Sequence, residues 1–157
     1  MSSSTPATHA LEQAKIAFTP LHYDYEKKDH NIGMHAALAV GERPSCVLKT
    51  LMVETDGRPV CVIIPSDKEL SMKLVAAAFK AKSAQMMKPN VAERLTGYHV
   101  GGISPFGQKK KVPVALEISV MSEPYVIING GQRGLLLKLK PDDALSFLNA
   151  LTASLYS

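Results

Sequence analysis

A lysine inside a strongly apolar segment is the first candidate for chemistry. In VLKTLMV at 47–53, the two-residue period of a β-strand places Lys49 on one face with Val47, Leu51 and Val53. An ammonium group among such neighbours either reaches solvent at a strand edge or points into a pocket holding an anionic or polarised group. The pattern alone leaves both interpretations open.

A glycine-rich segment, VGGISPFG at 100–107, is the second candidate. Adjacent glycines let backbone N–H groups converge, and such a nest can hold a carbonyl oxygen, an oxyanion or a phosphate. A tight turn between strands is the alternative, and for GGQRG at 130–134 a hairpin connection is the more typical one. Lys109, Lys110 and Lys111 follow the first loop directly, as a solvated surface or as contacts for a phosphate backbone.

The familiar catalytic and metal-binding motifs are absent from the sequence. Cys46 and Cys61 lie in apolar segments without a second thiol at C-x-x-C spacing, which is typical of buried structural thiols. The five histidines are scattered, and the sequence lacks the phosphate-binding loop, the dinucleotide-binding glycine motif and the serine-hydrolase elbow. We therefore expect neither a metal nor a cofactor.

Length and composition predict one globular domain. The chain has 157 residues, of which 46% are hydrophobic and 20% charged, so it can bury a core and is not a disordered chain. We expect a disordered tail at 1–4 and a single domain at 5–157. No apolar run reaches the roughly 18 residues of a membrane span, and no secretory signal is recognisable, so we expect a cytoplasmic protein without a membrane partner. The net charge of +4 permits a polyanionic partner without requiring one.

Helices and strands must position these candidates, and their order predicts an α+β fold with a mixed or antiparallel sheet. Helices are expected from Thr5 to Ile16, at 34–40, after a capping box of Ser66 and Glu69, from Asn90 to Gly97, and as a closing helix containing Asp142, Leu145, Leu148, Leu151 and Leu155. Strands are expected at 20–25, 47–53, 59–64, 83–87, 113–118, 125–129 and 135–140, with a polar loop at 27–31. Asp56-Gly57 predicts a hairpin between two of them.

Taken together, several segments resemble the YbaK family, the single-domain relatives of the editing insertion in bacterial prolyl-tRNA synthetases. The matching segments are TPA at 5–7, the tyrosine of PLHYDY at 20–25, VLKTLMV at 47–53, TGYHVGGISPFGQKKKVP at 96–113 and INGGQRGLLLKL at 128–139. They keep their order and spacing across nearly the whole chain. Family members deacylate mischarged tRNA in trans, and close bacterial members act on cysteine attached to proline tRNA.

The resemblance implies a single α+β domain with a mixed, largely antiparallel and barrel-like sheet flanked by helices. It also implies roles for individual residues. Lys49 matches the essential catalytic lysine, whereas Lys109, Lys110, Lys111 and Arg133 would contact tRNA. The expected substrate-binding residues are Tyr23, Thr50, Gly101, Gly102, Ile103, Ser104, Pro105, Gly130, Gly131 and Leu136, with the Gly130-Gly131 turn lying along the same cleft as the first loop.

One departure from the family concerns Leu136, which stands where some cysteine-specific members carry an aspartate. It leaves the preference open between cysteine, alanine and serine. In the family's cysteine case the substrate's own thiol is the attacking group, so a protein nucleophile is unnecessary. The implied partners are an aminoacyl-tRNA of the proline isoacceptor and, as a second candidate, prolyl-tRNA synthetase. An inactive tRNA-binding module and a regulatory partner of the synthetase remain alternatives.

Overall fold

The structure is a computed structural model that describes residues 3–24 and 32–157, without the side chains of 32–34. Its helices are α1 (Pro6–Gln13), α2 (Ile32–Val40), α3 (Met72–Ala78), α4 (Pro89–Thr96) and α5 (Pro141–Leu148), with a 3₁₀ helix at Ile118–Ser122. Its strands are β1 (Thr19–His22), β2 (Leu48–Thr55), β3 (Arg58–Pro65), β4 (Ala84–Met86), β5 (Val114–Glu117), β6 (Val126–Asn129), β7 (Leu135–Leu139) and β8 (Leu151–Ala153).

The strands form two sheets, which meet where the residue before β2 contacts β6. A five-stranded sheet has the order β4-β2-β3-β5-β8, and a three-stranded sheet has the order β1-β7-β6. The pairs β3–β5 and β5–β8 are parallel, and the other pairs are antiparallel. The sheets touch through a bridge between Val47 and Ile127, where the Ile127 N–H donates to the Cys46 carbonyl at 2.8 Å. The α+β prediction with a mixed sheet is confirmed.

The barrel-like closure implied by the resemblance is not formed. The strand β4 pairs with only Val53, Glu54 and Thr55 of β2, and β6 packs near the other end of β2 but pairs with the chain there only through the bridge to Val47, just before β2. A stretch of the β2 edge between these contacts therefore has no hydrogen-bonded partner strand among the described residues. Closure of a barrel requires a continuous ladder on both edges of every strand, which this arrangement lacks.

The hairpin between β2 and β3 forms as predicted. Asp56 and Gly57 have φ angles of 50° and 80°, the left-handed conformation that a two-residue hairpin turn requires. The Asp56 carboxylate accepts hydrogen bonds from the N–H groups of Lys82 and Ser83, at distances of 3.1–3.2 Å. These bonds, that from Lys82 foremost, hold the pKa of Asp56 below its usual value. The turn also secures the segment that leads into β4.

The predicted start of α3 is wrong because the capping signal at Ser66 is used elsewhere. Ser66 is buried at the end of β3, and its hydroxyl donates to the Pro44 carbonyl at 3.2 Å. The helix begins after Ser71, whose hydroxyl oxygen accepts a hydrogen bond from the Leu74 N–H at 3.2 Å. Capping patterns are local, so they cannot distinguish a helix cap from a side chain that tertiary packing claims.

The boundaries of the other predicted helices are only partly correct. Thr5 caps α1 as predicted, although the helix ends at Gln13, before Ile16. The glycine predicted to end α4, Gly97, does so with a φ of 83°. The N-cap position of α4 belongs to Lys88, which makes no side-chain cap hydrogen bond, so the predicted capping role of Asn90 is wrong.

The predicted closing helix is too long. It ends at Leu148, and Asn149 turns the chain with a φ of 50°. Leu151 begins β8, which adds to β5, and Leu155 is fully buried beyond it. The buried Glu117 carboxylate accepts a hydrogen bond from the Leu155 N–H at 2.7 Å, so the end of the chain is attached to the sheet.

Apolar side chains pack in three clusters. The first contains residues of α1, α4 and α5 together with residues of both sheets and includes Cys61, whose burial raises its pKa to about 12. The second, beneath α2, contains Tyr23, Ala36, Ala37, Cys46, Val47, Ile127 and Leu136. The third lies beneath α3 and contains Val53, Val60, Val62, Ile64, Val75, Ala115 and Leu155. Both cysteines are free and buried, as predicted.

Three predicted segments lie partly or wholly outside the described residues. Residues 1–2 of the predicted tail, the polar loop at 27–31 and Tyr25 at the end of the first predicted strand lie outside the described residues. Ser3 and Ser4 are described, and their hydroxyls pair with the Nε2 atoms of His22 and His9 at 3.0 and 2.8 Å. No helix in the described ranges is long and apolar enough to cross a membrane.

Candidate functional site

A cleft of about 400 Å³ opens where the two sheets separate along the edge of β2. At one end of the gap, the Met87 N–H donates to the Met52 carbonyl at 3.1 Å and continues the pairing with β4. At the other end lies the bridge between Val47 and Ile127. Residues 48–51, between the two, have no strand partner on this edge in the described part of the chain. We call residues 48–51 the open segment of β2.

The cleft has a mostly apolar lining with a few polar groups. One group of lining residues belongs to the second core cluster and the open segment, and another to the end of β4, the start of α4 and the glycine loop. The lining residues are Tyr23, Ala36, Val47, Leu48, Lys49, Thr50, Leu51, Met52, Met86, Met87, Pro89, Ala92, Val100, Gly101, Ile103, Asn129 and Leu136. Such an apolar concavity with few polar groups is typical of small-ligand sites.

Lys49 lies half-buried in the open segment and lines this cleft. No carboxylate of a described residue comes within 4 Å of its ammonium. Burial lowers the pKa of Lys49, while the negative charges of Glu69 and, to a smaller extent, Asp67 partly offset that shift. The cleft therefore contains a positive charge that the described part of the protein does not neutralise by contact.

Thr50 supplies a second polar group that forms no hydrogen bond with the described residues. Its Oγ1 atom is buried and has no hydrogen-bond partner among the described residues. A buried hydroxyl in this state costs about 1–3 kcal/mol, a cost that a bound ligand can offset. Lys49 and Thr50 alternate across β2, yet both line the cleft because it extends around the open edge.

The apolar end of the cleft brings together two residues that the sequence singled out. Tyr23 and Leu136 belong to the same buried cluster, and only 3% of Leu136 is exposed. The Tyr23 N–H donates to the Gly134 carbonyl at 2.9 Å, and its ring meets the ring of His35 edge to face, with centroids 5.9 Å apart. This end of the cleft suits an uncharged group.

The first glycine loop presents two of its five predicted residues to the cleft, Gly101 and Ile103. In the described part of the structure, the N–H groups of these two residues have no hydrogen-bond partner. The other three are buried behind the lining: the Gly102 N–H donates to the His99 carbonyl at 2.8 Å, the Ser104 hydroxyl accepts from the Phe106 N–H at 3.2 Å, and Pro105 is also buried. The loop can thus offer two donors to a ligand.

The second glycine turn lies behind the cleft wall, because neither Gly130 nor Gly131 lines the cleft. The Gly130 N–H donates to the Leu135 carbonyl at 2.8 Å, and its own carbonyl accepts the Thr5 hydroxyl at 2.6 Å. A Cβ at Gly131 would lie 2.7 Å from the Tyr98 ring, so only glycine permits this packing. This turn is structural support for the site.

The four basic residues predicted to contact tRNA lie outside the cleft. Lys109, Lys110 and Lys111 are exposed at the C-terminal end of α4, where the N–H of Lys109 donates to the Thr96 carbonyl at 2.8 Å. The opposite end of α4 lines the cleft, about 12 Å away for a helix of eight residues. Arg133 instead contacts the first glycine loop, since its Nε donates to the Val100 carbonyl at 2.9 Å.

Sequence reasoning missed several lining residues. Met86, Met87 and Pro89 reach the cleft only because β4 crosses to β2, a contact that no local pattern indicates. Asn129 is different, since it directly precedes the second glycine cluster. An asparagine beside a glycine pair is a common turn signal, and this signal could have directed attention to it.

Comparisons with known proteins identify the family of the whole domain. Residues 34–147 match the family described as aminoacyl-tRNA editing domain. The chain is 31% identical over 152 residues to the proposed Cys-tRNA(Pro)/Cys-tRNA(Cys) deacylase EbsC of Enterococcus faecalis, covering 96% of this chain and 92% of that protein. It is also 29% identical over 92 residues to the proline–tRNA ligase of Geobacter metallireducens, covering 59% of this chain and 16% of that protein.

A solved structure of a proposed trans-editing enzyme for prolyl tRNA synthetase superposes with a TM-score of 0.83 at 21% identity, covering 100% of this chain and 98% of the other. This likeness concerns the fold. Together with the family match and the similarity to EbsC, it shows which class of protein the chain represents. The chain belongs to the aminoacyl-tRNA editing domain family, of the YbaK type.

Proposed function

We propose that the protein deacylates mischarged tRNA in trans, with Cys-tRNA(Pro) as its substrate. The observation that carries the proposal is the pair of polar groups in one apolar cleft: the Lys49 ammonium without a contacting carboxylate and the buried Thr50 hydroxyl without a partner, in the described part of the chain. Both need a polar or anionic ligand, and the aminoacylated end of tRNA supplies ester, ribose and phosphate oxygens.

The ester bond of an aminoacyl-tRNA is already activated, so binding and charge stabilisation can supply much of the catalysis. The N–H groups of Gly101 and Ile103 would receive the oxyanion that develops on the ester carbonyl. Lys49 would interact with the terminal phosphate or with the ester oxygens. Each such donor is worth about 10²–10³-fold in rate when it is held in place before the reaction.

The attacking group is proposed to come from the substrate. The described lining residues include no histidine, cysteine or carboxylate that could act as the usual base or nucleophile. The cysteine thiol would attack its own carbonyl carbon, forming a carbon–sulfur bond as the ester carbon–oxygen bond breaks. The thiol proton passes to the ribose oxygen that leaves, and the thiolactone released is hydrolysed by water.

The apolar end of the cleft favours a small uncharged side chain. Leu136 packs there with Tyr23 and Ala36, where a charged amino-acid side chain would lose its solvation without gaining a partner. Cysteine, alanine and serine all meet the size requirement. The name of EbsC, which shares 31% of its aligned residues with this chain, supports cysteine among them.

The basic triplet is proposed to contact the phosphate backbone of the tRNA. Lys109, Lys110 and Lys111 are exposed and lie at the far end of the helix that borders the cleft. A strand that leaves the cleft along α4 would bring its phosphates to these side chains. Similarity to part of a proline–tRNA ligase makes the synthetase a further candidate partner. A tRNA that the synthetase has mischarged could then pass directly to this protein.

The deciding experiment compares two substrates that differ only in a thiol group, which one of them replaces by a methyl group. Purified protein is mixed with proline tRNA charged with cysteine or with 2-aminobutyrate, which has the same shape without the nucleophilic thiol. We expect cysteine to be released about 10²-fold faster or more, because the intramolecular attack is lost in the analogue. The release of alanine from Ala-tRNA(Pro) and of serine from Ser-tRNA(Pro) is measured in the same way.

Equal rates for cysteine and 2-aminobutyrate would contradict the thiol mechanism and indicate attack by water. If none of the charged tRNAs turns over although each binds, the enzyme proposal fails and an inactive tRNA-binding module remains.

A further inference from the structure

The side chain of Asn129 connects the two glycine segments. Its Nδ2 donates to the Gly101 carbonyl at 3.1 Å, and its Oδ1 accepts a hydrogen bond from the Gly131 N–H at 2.8 Å. Asn129 ends β6 and lines the cleft. One amide group thus joins the loop that borders the ligand space to the turn behind it.

The Gly101–Gly102 peptide is held from both sides by this arrangement. Its carbonyl accepts from Asn129, and its N–H, that of Gly102, donates to the His99 carbonyl at 2.8 Å. A peptide unit is planar, so two such bonds fix its rotation about the chain. The N–H groups of Gly101 and Ile103 belong to the two peptides that adjoin this fixed unit, and the first of these is itself held through its Val100 carbonyl, which accepts from Arg133 Nε.

Close packing reinforces the connection. A Cβ at Gly102 would lie 2.9 Å from the backbone N of Arg133, so the loop and the turn touch through their backbones. The Arg133 Nε also donates to the Val100 carbonyl at 2.9 Å. Of these contacts, the Asn129 bond is the one made by a side chain that itself lines the cleft.

We propose that Asn129 is a positioning residue for the deacylation reaction: its amide orients the Gly101–Gly102 peptide so that the N–H groups of Gly101 and Ile103 can receive the developing oxyanion. The inference rests on the proposed function for its reaction, and it adds a residue outside the expected substrate-binding set. Preorganised donors contribute to catalysis only if they need no reorganisation during the reaction, which is what this bond ensures.

The substitution Asn129→Asp tests the proposal with a near-identical shape. An ionised carboxylate still accepts the Gly131 N–H but cannot donate to the Gly101 carbonyl, whose oxygen it repels. We expect kcat for Cys-tRNA(Pro) at pH 8 to fall about 10²-fold, with KM changed less than about threefold. The ratio of variant to wild-type kcat should rise as the pH falls to 5, because a protonated carboxyl can donate again.

A matched control is Asn149→Asp, which makes the same chemical change at an exposed position after α5, away from the cleft. It should leave kcat and its pH profile unchanged. A wild-type kcat for Asn129→Asp at pH 8, or a loss explained entirely by a smaller folded fraction, would overturn the proposal.

A second measurement separates this proposal from the proposed function. Hydrogen–deuterium exchange should be faster at residues 100–104 in Asn129→Asp than in the wild type, with β2 and β3 unaffected. Binding of 3′-cysteinylamino-3′-deoxyadenosine, which cannot be cleaved, should slow exchange at these residues further in the wild type but not in Asn129→Asp. If the wild type deacylates nothing, the proposed function fails, whereas unchanged exchange at 100–104 and equal protection by the analogue refute the role of Asn129.

Discussion

The two ends of β2 belong to one continuous strand but differ in what surrounds them. Its closed segment, Val53–Thr55, is paired with β3 on one edge and with β4 on the other. Its open segment, residues 48–51, is paired with β3 alone in the described part of the chain. The closed segment contributes to the core beneath α3, whereas the open segment borders the cleft.

The difference shows how a strand can be both core and site. In the closed segment, Val53 is fully buried and the Glu54 carboxylate accepts a hydrogen bond from the Gln85 side chain at 3.2 Å. In the open segment, Lys49 and Thr50 lack corresponding partners among the described residues. The charged side chain of Glu54 therefore has a partner where the edge is covered, whereas the charge of Lys49 is available to a ligand where it is not.

The largest effect is expected from Lys49→Met, in the open segment. Deacylation should fall about 10²–10³-fold, because the cleft loses its positive charge. The thermal midpoint should stay unchanged or rise, since a half-buried ammonium is replaced by an apolar group of similar length. Single-turnover deacylation and thermal unfolding measure the two quantities. Lys73→Met, on the exposed side of α3, is the control, and full activity of Lys49→Met would remove the functional distinction between the segments.

The opposite pattern is expected from Val53→Ala, in the closed segment. Removing two methyl groups from a fully buried site should lower the free energy of unfolding by about 2–3 kcal/mol, while kcat per folded molecule changes less than about twofold. Urea unfolding gives the first value. Val100→Ala, at a partly exposed cleft position, should cost less than about 0.5 kcal/mol. A tenfold loss of kcat in Val53→Ala would mean that the closed segment also serves the reaction.

A smaller effect should come from the basic triplet, which lies outside both segments. With Lys109→Glu and Lys110→Glu combined, KM for tRNA should rise about tenfold, and the dependence of log KM on log salt should weaken by about 1.5–2. Measuring KM between 50 and 200 mM salt tests this. Reversal of Lys73 and Lys140, also exposed, should leave the slope as it is. An unchanged slope for the triplet variant would assign tRNA contact elsewhere.

The smallest effect is a shift in the alkaline pH limit of activity, caused by Glu69→Gln. Glu69 raises the pKa of Lys49, so neutralising it lets that pKa fall further below its usual value. If the ammonium is the working form, activity should then be lost at lower pH as the pH rises. The profile of kcat/KM from pH 7 to 10 measures the limit. Asp67→Asn should move it in the same direction by less. Activity that instead rises through this pH range, with its midpoint at lower pH in Glu69→Gln than in the wild type, would show that the neutral amine acts.

Local patterns predicted those parts of the fold that neighbouring residues control. The Asp56-Gly57 turn formed because only a left-handed turn matches the twist of two adjoining strands. Gly97 ended α4 for a similarly local reason. Ser66 and Leu155 were assigned wrongly to helices, because their partners, Pro44 and Glu117, lie 22 and 38 residues away in sequence. No local pattern contains such contacts.

The site divides in the same way. A lysine in an apolar strand and a glycine pair after a helix are visible as unusual residue types, so Lys49 and Gly101 were predicted and both line the cleft. Asn129 was not, because its importance lies in joining two segments 28 residues apart. Gly130 and Gly131 were predicted to lie along the cleft. In the structure they lie behind it, where they form backbone hydrogen bonds and pack closely against other residues.

The sequence by itself therefore determined most of the elements, several turn residues and a strand that carries a lysine among valines and leucines. It left open whether that lysine lies at a solvated edge or in a pocket, since period-two alternation sets a face and says nothing about the strand's neighbours. Tertiary structure decided this by ending β4 at one side of the gap and bringing β6 to the other. Strand pairing joins segments distant in sequence, so the width of the gap, and with it the cleft, exists only in the folded chain.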